Sequence, residues 1–308
     1  MSAEKELLSI LLDNYDRVGR SGRPVLNVST PIDVMFGLGL IQMDLNEKEK
    51  ILTLSMWTRY QWRDEYLVWD PSKYDMVQSI RLHPEQIWIP DITLYNSAEI
   101  RPDARDALAV ITFDGTVTWF PHTIFKSSCS VDVANFPFDS QKCHMWFGSW
   151  THTAKEVNLH MGYQDQGIDL STFNSDYNES CSWEIINVTA KRRIMPSEED
   201  EPNFVVLTYE IFMTRKVVFS SYILTLPCIF FAFLTLVVFW LPPDRPDRTG
   251  LAMSTFSSFM LLLLILVETA PPTASSVPTL GKRTFFYIEH QGVHTDLIPQ
   301  VFIIVTIW

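Results

Sequence analysis

The chain has 308 residues, 47% of them hydrophobic and 19% charged, with a formal net charge of −12. Acidity on this scale, with no basic stripe in the sequence, argues against nucleic-acid binding. It fits either an ordinary solvated surface or a field that concentrates cations. The length allows two domains, and composition divides there. Residues 1–215 mix charges, aromatics and prolines, whereas residues 216–308 carry long apolar runs with few charges.

Leu7, Leu8, Leu11, Leu12 and Tyr15 recur at helical spacing and predict a short amphipathic helix at the start. From about Val25 the texture changes to short β-rich runs separated by turns. Examples are Ile51–Trp57, Ala109–Phe113, Val117–Phe120 behind Asp114-Gly115, His144–Trp150 and Phe204–Thr214. Many short strands so spaced predict an all-β sandwich.

Cys129 and Cys143 enclose thirteen residues, among them Phe136-Pro137-Phe138-Asp139, which describes a closed loop with an apolar, proline-stiffened tip. A disulfide closing a loop of that size contributes about 3 kcal/mol in the chain-entropy model. Cys228 sits in an apolar run and reads as a buried thiol, and Cys181 has no obvious partner. Glycosylation sequons begin at Asn27, Asn178 and Asn187. Each is weak alone; together with the cysteine pair they favour an extracellular domain in an oxidising compartment.

Residues 217–241 form an apolar span interrupted by Pro227 and a few hydroxyls, long enough to cross a hydrocarbon core of about 30 Å. A second span, 248–270, ends at Pro271-Pro272. The remainder, 280–308, contains no stretch that spans alone. Within the second span Gly250, Ser254, Ser257, Leu261, Leu264 and Glu268 step by three or four and share one helical face. Hydroxyls on such a stripe also serve to bond neighbouring helices. Asp247 and Glu268, about 31 Å apart along the axis, bracket the stripe and favour a pore, because rings of acidic side chains select cations.

Several segments together resemble the Cys-loop pentameric ligand-gated ion channels, in particular subunits like those of nicotinic acetylcholine receptors. They are Ile87-Trp88-Ile89-Pro90-Asp91-Ile92, Leu94-Tyr95-Asn96, the 124–143 stretch, Phe147-Gly148-Ser149-Trp150, Leu226-Pro227-Cys228 and Ser276-Val277-Pro278. They occur in the family's order at similar intervals and cover residues 5–285. The resemblance implies an extracellular immunoglobulin-like sandwich with a short N-terminal helix, followed by an α-helical transmembrane domain that is incomplete at its C-terminal end. It also implies a disulfide between Cys129 and Cys143, a plasma-membrane location, and a homopentamer or heteropentamer of like subunits. Partners would be membrane lipid, permeant cations and a small cationic ligand; no cofactor, metal or enzymatic activity is implied.

By the same resemblance, ligand binds between subunits in a box of aromatic side chains, where cation–π attraction reaches about 2 kcal/mol or more once desolvated. Tyr95 and Trp150 match the principal side; Trp62, with Trp119 and Phe120 on a nearby strand, matches the complementary side. Any one of these aromatics alone reads better as sandwich core; it is their joint match to four motif segments that favours the site. The capping stretch Arg192–Asn203 has no cysteine pair and no tyrosine but four consecutive acids, Glu198–Glu201, which are either a solvated run or an attractor of cations. Phe136, Pro137, Phe138 and Asp139, together with Glu47 and Arg215, are expected to couple ligand binding to the pore, with Asp139 or Glu47 pairing with Arg215. Ser257 stands where the family carries a mid-pore leucine, which moves the expected gate to Leu261 and Leu264 or Ile265. The function expected is a cation-selective ligand-gated channel; the alternatives are a non-conducting ligand-binding or assembly subunit and an anion-selective channel.

Overall fold

A computed structural model describes residues 2–99, 103–104, 107–136, 138–162, 167–170, 183–195, 203–216, 219–242 and 246–269. These fall into two compact units. One comprises Met1–Ser130 and Lys142–Met213; the other comprises Val131–Gln141 and Thr214–Trp308.

The first unit opens with helix α1, Ala3–Val18, which buries Leu7, Leu11 and Tyr15 at the spacing that the sequence predicts. Thirteen strands follow among the described residues: β1 (Ile32–Asn46), β2 (Ile51–Arg63), β3 (Ser79–Leu82), β4 (Ile92–Leu94), β5 (Asp103–Ala104), β6 (Ala109–Thr112), β7 (Thr116–Trp119), β8 (His122–Ser128), β9 (Ser140–Ser149), β10 (Val157–Met161), β11 (Ile168–Asp169), β12 (Trp183–Met195) and β13 (Phe204–Arg215). Nine of them form one sheet along the path β10-β1-β2-β7-β6-β3, with β11 on β1, β8 on β2 and β5 on β8. The other four form the order β12-β13-β9-β4. Strand β12 extends through Arg192–Met195, so the first four residues of the expected capping stretch are strand. The remainder of that stretch up to residue 202, with Glu198–Glu201, lies outside the described residues, as do Cys181 and residues 270–308.

Alternation of side chains along each strand turns one face inward. On β2 the even-numbered positions from Leu52 through Leu54 and Met56 to Trp62 are buried; the odd-numbered ones are not. Phe147 of β9 joins the two sheets, its ring 5.0 Å from Phe36 on β1, 5.1 Å from Phe125 on β8 and 5.7 Å from Tyr209 on β13. The two sheets thus pack as a sandwich around one aromatic-rich core.

Tyr15 ties α1 to this body. Its hydroxyl donates to Asp64 at 2.8 Å and accepts the Trp88 backbone N–H at 3.0 Å. Burial pushes the Asp64 carboxyl up to about 6 despite the hydrogen bonds from Tyr15, Tyr66 and Leu67.

In the second unit, helix α2 (Phe219–Trp240) and helix α3 (Pro246–Thr269) pack together. Phe259 and Leu262 of α3 are buried against Cys228 and Phe231 of α2. The stretch Asp247–Ile265 is long and apolar enough to cross a membrane. The 22 residues of α2 rise about 33 Å, also the span of a bilayer core. Their hydroxyls bond within the helices: Thr235 to the Ala232 carbonyl, Thr255 to those of Leu251 and Ala252. A polar group in an apolar solvent is thereby satisfied without a partner helix.

Candidate functional site

Strand β4 pairs with β9, Thr93 opposite Gly148 and Leu94 opposite Phe147, and this register sets Tyr95 beside the end of β9. The Tyr95 hydroxyl donates to the Ser149 carbonyl at 2.6 Å, and its ring lies across Gly148. A Cβ at position 148 would sit 2.5 Å from the Tyr95 hydroxyl oxygen, so glycine is what admits the ring. Trp150 follows β9 and stands 68% exposed, its ring edge-on to Tyr95 at 6.0 Å. Both expected principal-side aromatics are therefore brought together, with one indole face open to solvent.

Asp91 holds this arrangement from beneath. Its carboxylate accepts Ser149 Oγ at 2.5 Å, Thr151 N–H at 2.7 Å and Thr151 Oγ1 at 2.6 Å, and its backbone carbonyl accepts Trp150 N–H at 3.3 Å. Burial works to raise the Asp91 carboxyl, but those bonds and the nearby His152 hold it below the usual carboxylate range. Burial, and secondarily the Asp91 charge, raises the Tyr95 hydroxyl. The phenol thus stays neutral beside a fixed anion. In the sequence Asp91 stands only as part of the Ile87–Ile92 motif; its short spacing to Tyr95 is the signal for this role.

The other expected half is corrected in one residue. Trp62 is 2% exposed, its ring 6.0 Å from Trp88 inside the sandwich. It occupies an inward position of β2 and has no face to offer a ligand. Trp57, five residues earlier and on the outward face of the same strand, is 48% exposed and edge-on to His122 at 5.5 Å. Phe120 is exposed as expected, with the Arg59 guanidinium 5.6 Å from its centroid. Trp119 is half-buried, donating Nε1–H to the Ala107 carbonyl at 2.8 Å and packing on Tyr60 at 5.1 Å. Trp57, Arg59 and Phe120 thus form an exposed aromatic face on the nine-stranded sheet, whereas Tyr95 and Trp150 belong to the four-stranded one. Alternation with Leu52, Leu54 and Met56 was the signal for Trp57, because it puts the even-numbered Trp62 inside.

The closed loop is stapled as expected: Cys129 and Cys143 form a disulfide with Cα atoms 5.1 Å apart. Within the second unit, Arg215 grips Asp139 through Nε to Oδ1 at 2.7 Å and through a terminal nitrogen to Oδ2 at 3.1 Å. Asp139 is 2% exposed and also accepts Gln141 Nε2–H at 2.6 Å. The Arg215 guanidinium lies 5.0 Å from the centroid of the buried Phe136 ring, while Phe138 is 59% exposed. Of the two carboxylates expected beside Arg215, Asp139 pairs with it, and Glu47 lies in the turn between β1 and β2. Pro137 lies outside the described residues.

On α3, Gly250, Ser254, Ser257, Leu261, Leu264 and Glu268 are all exposed, as is Asp247, whereas Ala252, Thr255, Phe259 and Leu262 are buried. The expected pore stripe is therefore the solvent-facing side of the helix in a single chain. Asn27 lies in an exposed turn, its side-chain oxygen accepting Ser29 N–H at 3.0 Å, and Asn187 is exposed on β12. Asn178 lies outside the described residues.

Comparison with known proteins bears on this arrangement. The family model for the neurotransmitter-gated ion-channel ligand binding domain matches residues 4–217. The model for the neurotransmitter-gated ion-channel transmembrane region matches residues 224–288. Neuronal acetylcholine receptor subunit alpha-6 of Rattus norvegicus is 34% identical over 287 residues, covering 92% of this chain and 56% of that protein. Acetylcholine receptor subunit alpha-like of Manduca sexta is 38% identical over 292 residues, covering 92% of this chain and 55% of that protein. Acetylcholine receptor subunit beta-like 1 of Drosophila melanogaster is 33% identical over 309 residues, covering 100% of this chain and 57% of that protein. The chain spans little more than half the length of these curated relatives.

Proposed function

Since the chain belongs to the neurotransmitter-gated ion-channel family, we propose that it is a nicotinic receptor-like subunit of a cation-selective pentameric channel in the plasma membrane, its sandwich extracellular and α3 lining the pore. The observation that carries this reading is the pair of exposed aromatic faces on one sandwich: Tyr95 with Trp150, and Trp57 with Phe120. Neither face encloses a ligand by itself. The first of one subunit against the second of its neighbour makes a box, and a chain that has both can assemble with copies of itself. The ligand's cation would rest against Trp150, where aromatic faces and the Asp91 carboxylate favour positive charge.

Asp247 and Glu268, one near each end of the exposed α3 stripe, favour cations in the pore. Leu261 and Leu264 form its hydrophobic half and supply the gate, because a ring of Ser257 hydroxyls does not dewet as leucines do. Phe138 carries the coupling contact at the loop tip. Asn27, Asn178 and Asn187 are proposed as glycan acceptors, and lipid surrounds the helices.

Expression of the chain in oocytes with current recording tests this. Agonist-evoked currents that reverse with the sodium gradient and ignore chloride replacement are expected. Currents that follow chloride would make it an anion channel; surface-expressed pentamers that bind but never conduct would make it a ligand-binding or assembly subunit.

A further inference from the structure

Building on the reading of Tyr95 and Trp150 as ligand-contacting aromatics, we infer that Tyr15 of α1 is a positioning residue for that site, acting through the backbone of Trp88. The buried phenol stands at a junction: it donates to Asp64 Oδ2 at 2.8 Å and accepts the Trp88 N–H at 3.0 Å. Two routes lead from Trp88 to the site. Along the chain, only Ile89 and Pro90 separate it from Asp91, and proline fixes its own φ. Through side chains, the Trp88 ring lies 6.4 Å from that of His152, whose backbone N–H donates to Ser149 Oγ at 2.9 Å. Ser149 Oγ donates in turn to Asp91, so both routes end at the residue whose carbonyl accepts the Trp150 N–H. A hydroxyl that served only to anchor α1 would have no need of the 87–92 segment, since Leu7 and Leu11 already bury the helix.

The junction also holds a proton near neutrality. Burial pushes the Asp64 carboxyl up to about 6, and burial raises the Tyr15 hydroxyl, which keeps its hydrogen. Ionised, Asp64 accepts the Tyr15 hydroxyl and, on Oδ1, the Tyr66 N–H at 2.9 Å, which leaves the phenol oxygen to accept from Trp88. A proton on Oδ2 makes that oxygen a donor toward the phenol, whose own hydrogen must then turn elsewhere; a proton on Oδ1 opposes the Tyr66 N–H. Hydrogen bonds to a charged acceptor are the stronger ones, so Trp88 is held best when Asp64 is ionised. The other titratable groups that act on this junction are Glu65 and Tyr66. At the far end His152 acts on Asp91 and lies 3.8 Å from the Glu156 carboxylate. Ligand affinity therefore falls as pH drops through about 6, by way of Tyr15.

Tyr15→Phe keeps the ring and removes both hydrogen bonds, and two measurements on the detergent-solubilised full chain read the result. Amide hydrogen exchange, with no ligand present, should quicken about tenfold in residues 87–92 and 149–152 while residues 205–213 keep their protection. Titration with choline and with tetramethylammonium should show binding in Tyr15→Phe weaker by about three- to tenfold. The parent should lose about threefold in affinity between roughly pH 7.5 and 5, a loss absent from Tyr15→Phe and Asp64→Asn and kept in His152→Gln. Unchanged exchange at 149–152 in Tyr15→Phe, or exchange that quickens equally everywhere, would overturn the inference. So would a pH dependence that survives Tyr15→Phe and disappears in His152→Gln. If the exchange changes as expected but neither probe binds in a way that Trp150→Ala abolishes, the link from Tyr15 to Trp150 stands and the reading of the aromatics as a cation site falls.

Discussion

Trp57→Ala and Trp62→Ala, made separately, should divide binding from folding cleanly. Trp62 is 2% exposed and packs on Trp88, so truncation opens a cavity in the sandwich and costs about 3–5 kcal/mol. Against a typical stability of about 5–15 kcal/mol that is a large share. Trp57 is 48% exposed, and its loss should cost roughly 1 kcal/mol of stability or less. It should instead remove a cation–π wall worth about 2 kcal/mol, a fall in affinity of roughly thirtyfold. Thermal melting of the solubilised chain reads the first effect and equilibrium ligand binding reads the second. A Trp62→Ala protein that melts like the parent and loses ligand, alongside a Trp57→Ala protein that binds normally, would refute the reasoning.

Gly148→Ala should lower ligand affinity by about tenfold with little change in melting, because the added methyl displaces the Tyr95 ring that now lies over the glycine; titration with the parent's agonist checks it. Arg215→Gln strands the buried Asp139 carboxylate and should cost about 3–5 kcal/mol, whereas the double variant with Asp139→Asn should recover part of the loss; melting of the three variants supplies the cycle. Asp64 has a folded pKa raised from 3.8 to about 6, so its proton is held more tightly in the folded state. Its contribution is complete below about pH 4 and is lost as pH climbs through about 6, roughly 3 kcal/mol in all. Asp64→Asn should remove that slope, seen as a difference between the two melting-versus-pH curves.

Strand alternation made several elements legible in the sequence and hid others. Strands β2 and β13 have long inward runs, and both were read as strand. Strand β1, 15 residues long, is hard to delimit from the sequence because its register shifts between Leu40 and Gln42. The bulge changes which parity points inward, so no single period-2 pattern runs through it. Strand β12 is hard to read for a different reason. It lies at the edge of its sheet and buries only Trp183 and Val188 of its 13 residues, leaving a polar surface that reads as loop. The candidate site shows the same limit. Motif likeness reached Tyr95 and Trp150, which sit where chain-local pairing puts them. On the complementary face it chose Trp62, although alternation with Leu52, Leu54 and Met56 places that position inside. The position of Arg59 over Phe120 depends on how β2 pairs with β7, a long-range fact that no local pattern carries.

The stapled loop shows how far chemistry narrows a role that the sequence spreads over several residues. Phe136 and Phe138 flank Pro137 symmetrically in the sequence, and either would serve as an apolar tip. The loop, however, has a polar interior of its own. Gln141 accepts Asp132 N–H at 2.9 Å, donates to the Asp132 carbonyl at 2.7 Å and donates to Asp139, while Arg215 closes on Asp139 with two donors. Phe136 lies under the Arg215 guanidinium as part of this assembly, so its removal would expose a buried ion pair to water and loosen the loop. Phe138 takes no part in it and stands outside. Loss of the Phe136 ring should therefore appear as instability, and loss of the Phe138 ring as weakened transmission in a protein that still folds. On the proposed reading, the contact that transmits motion from this loop falls to Phe138, held outward by a structure that the disulfide closes at its base and the Asp139–Arg215 pair fixes near its tip.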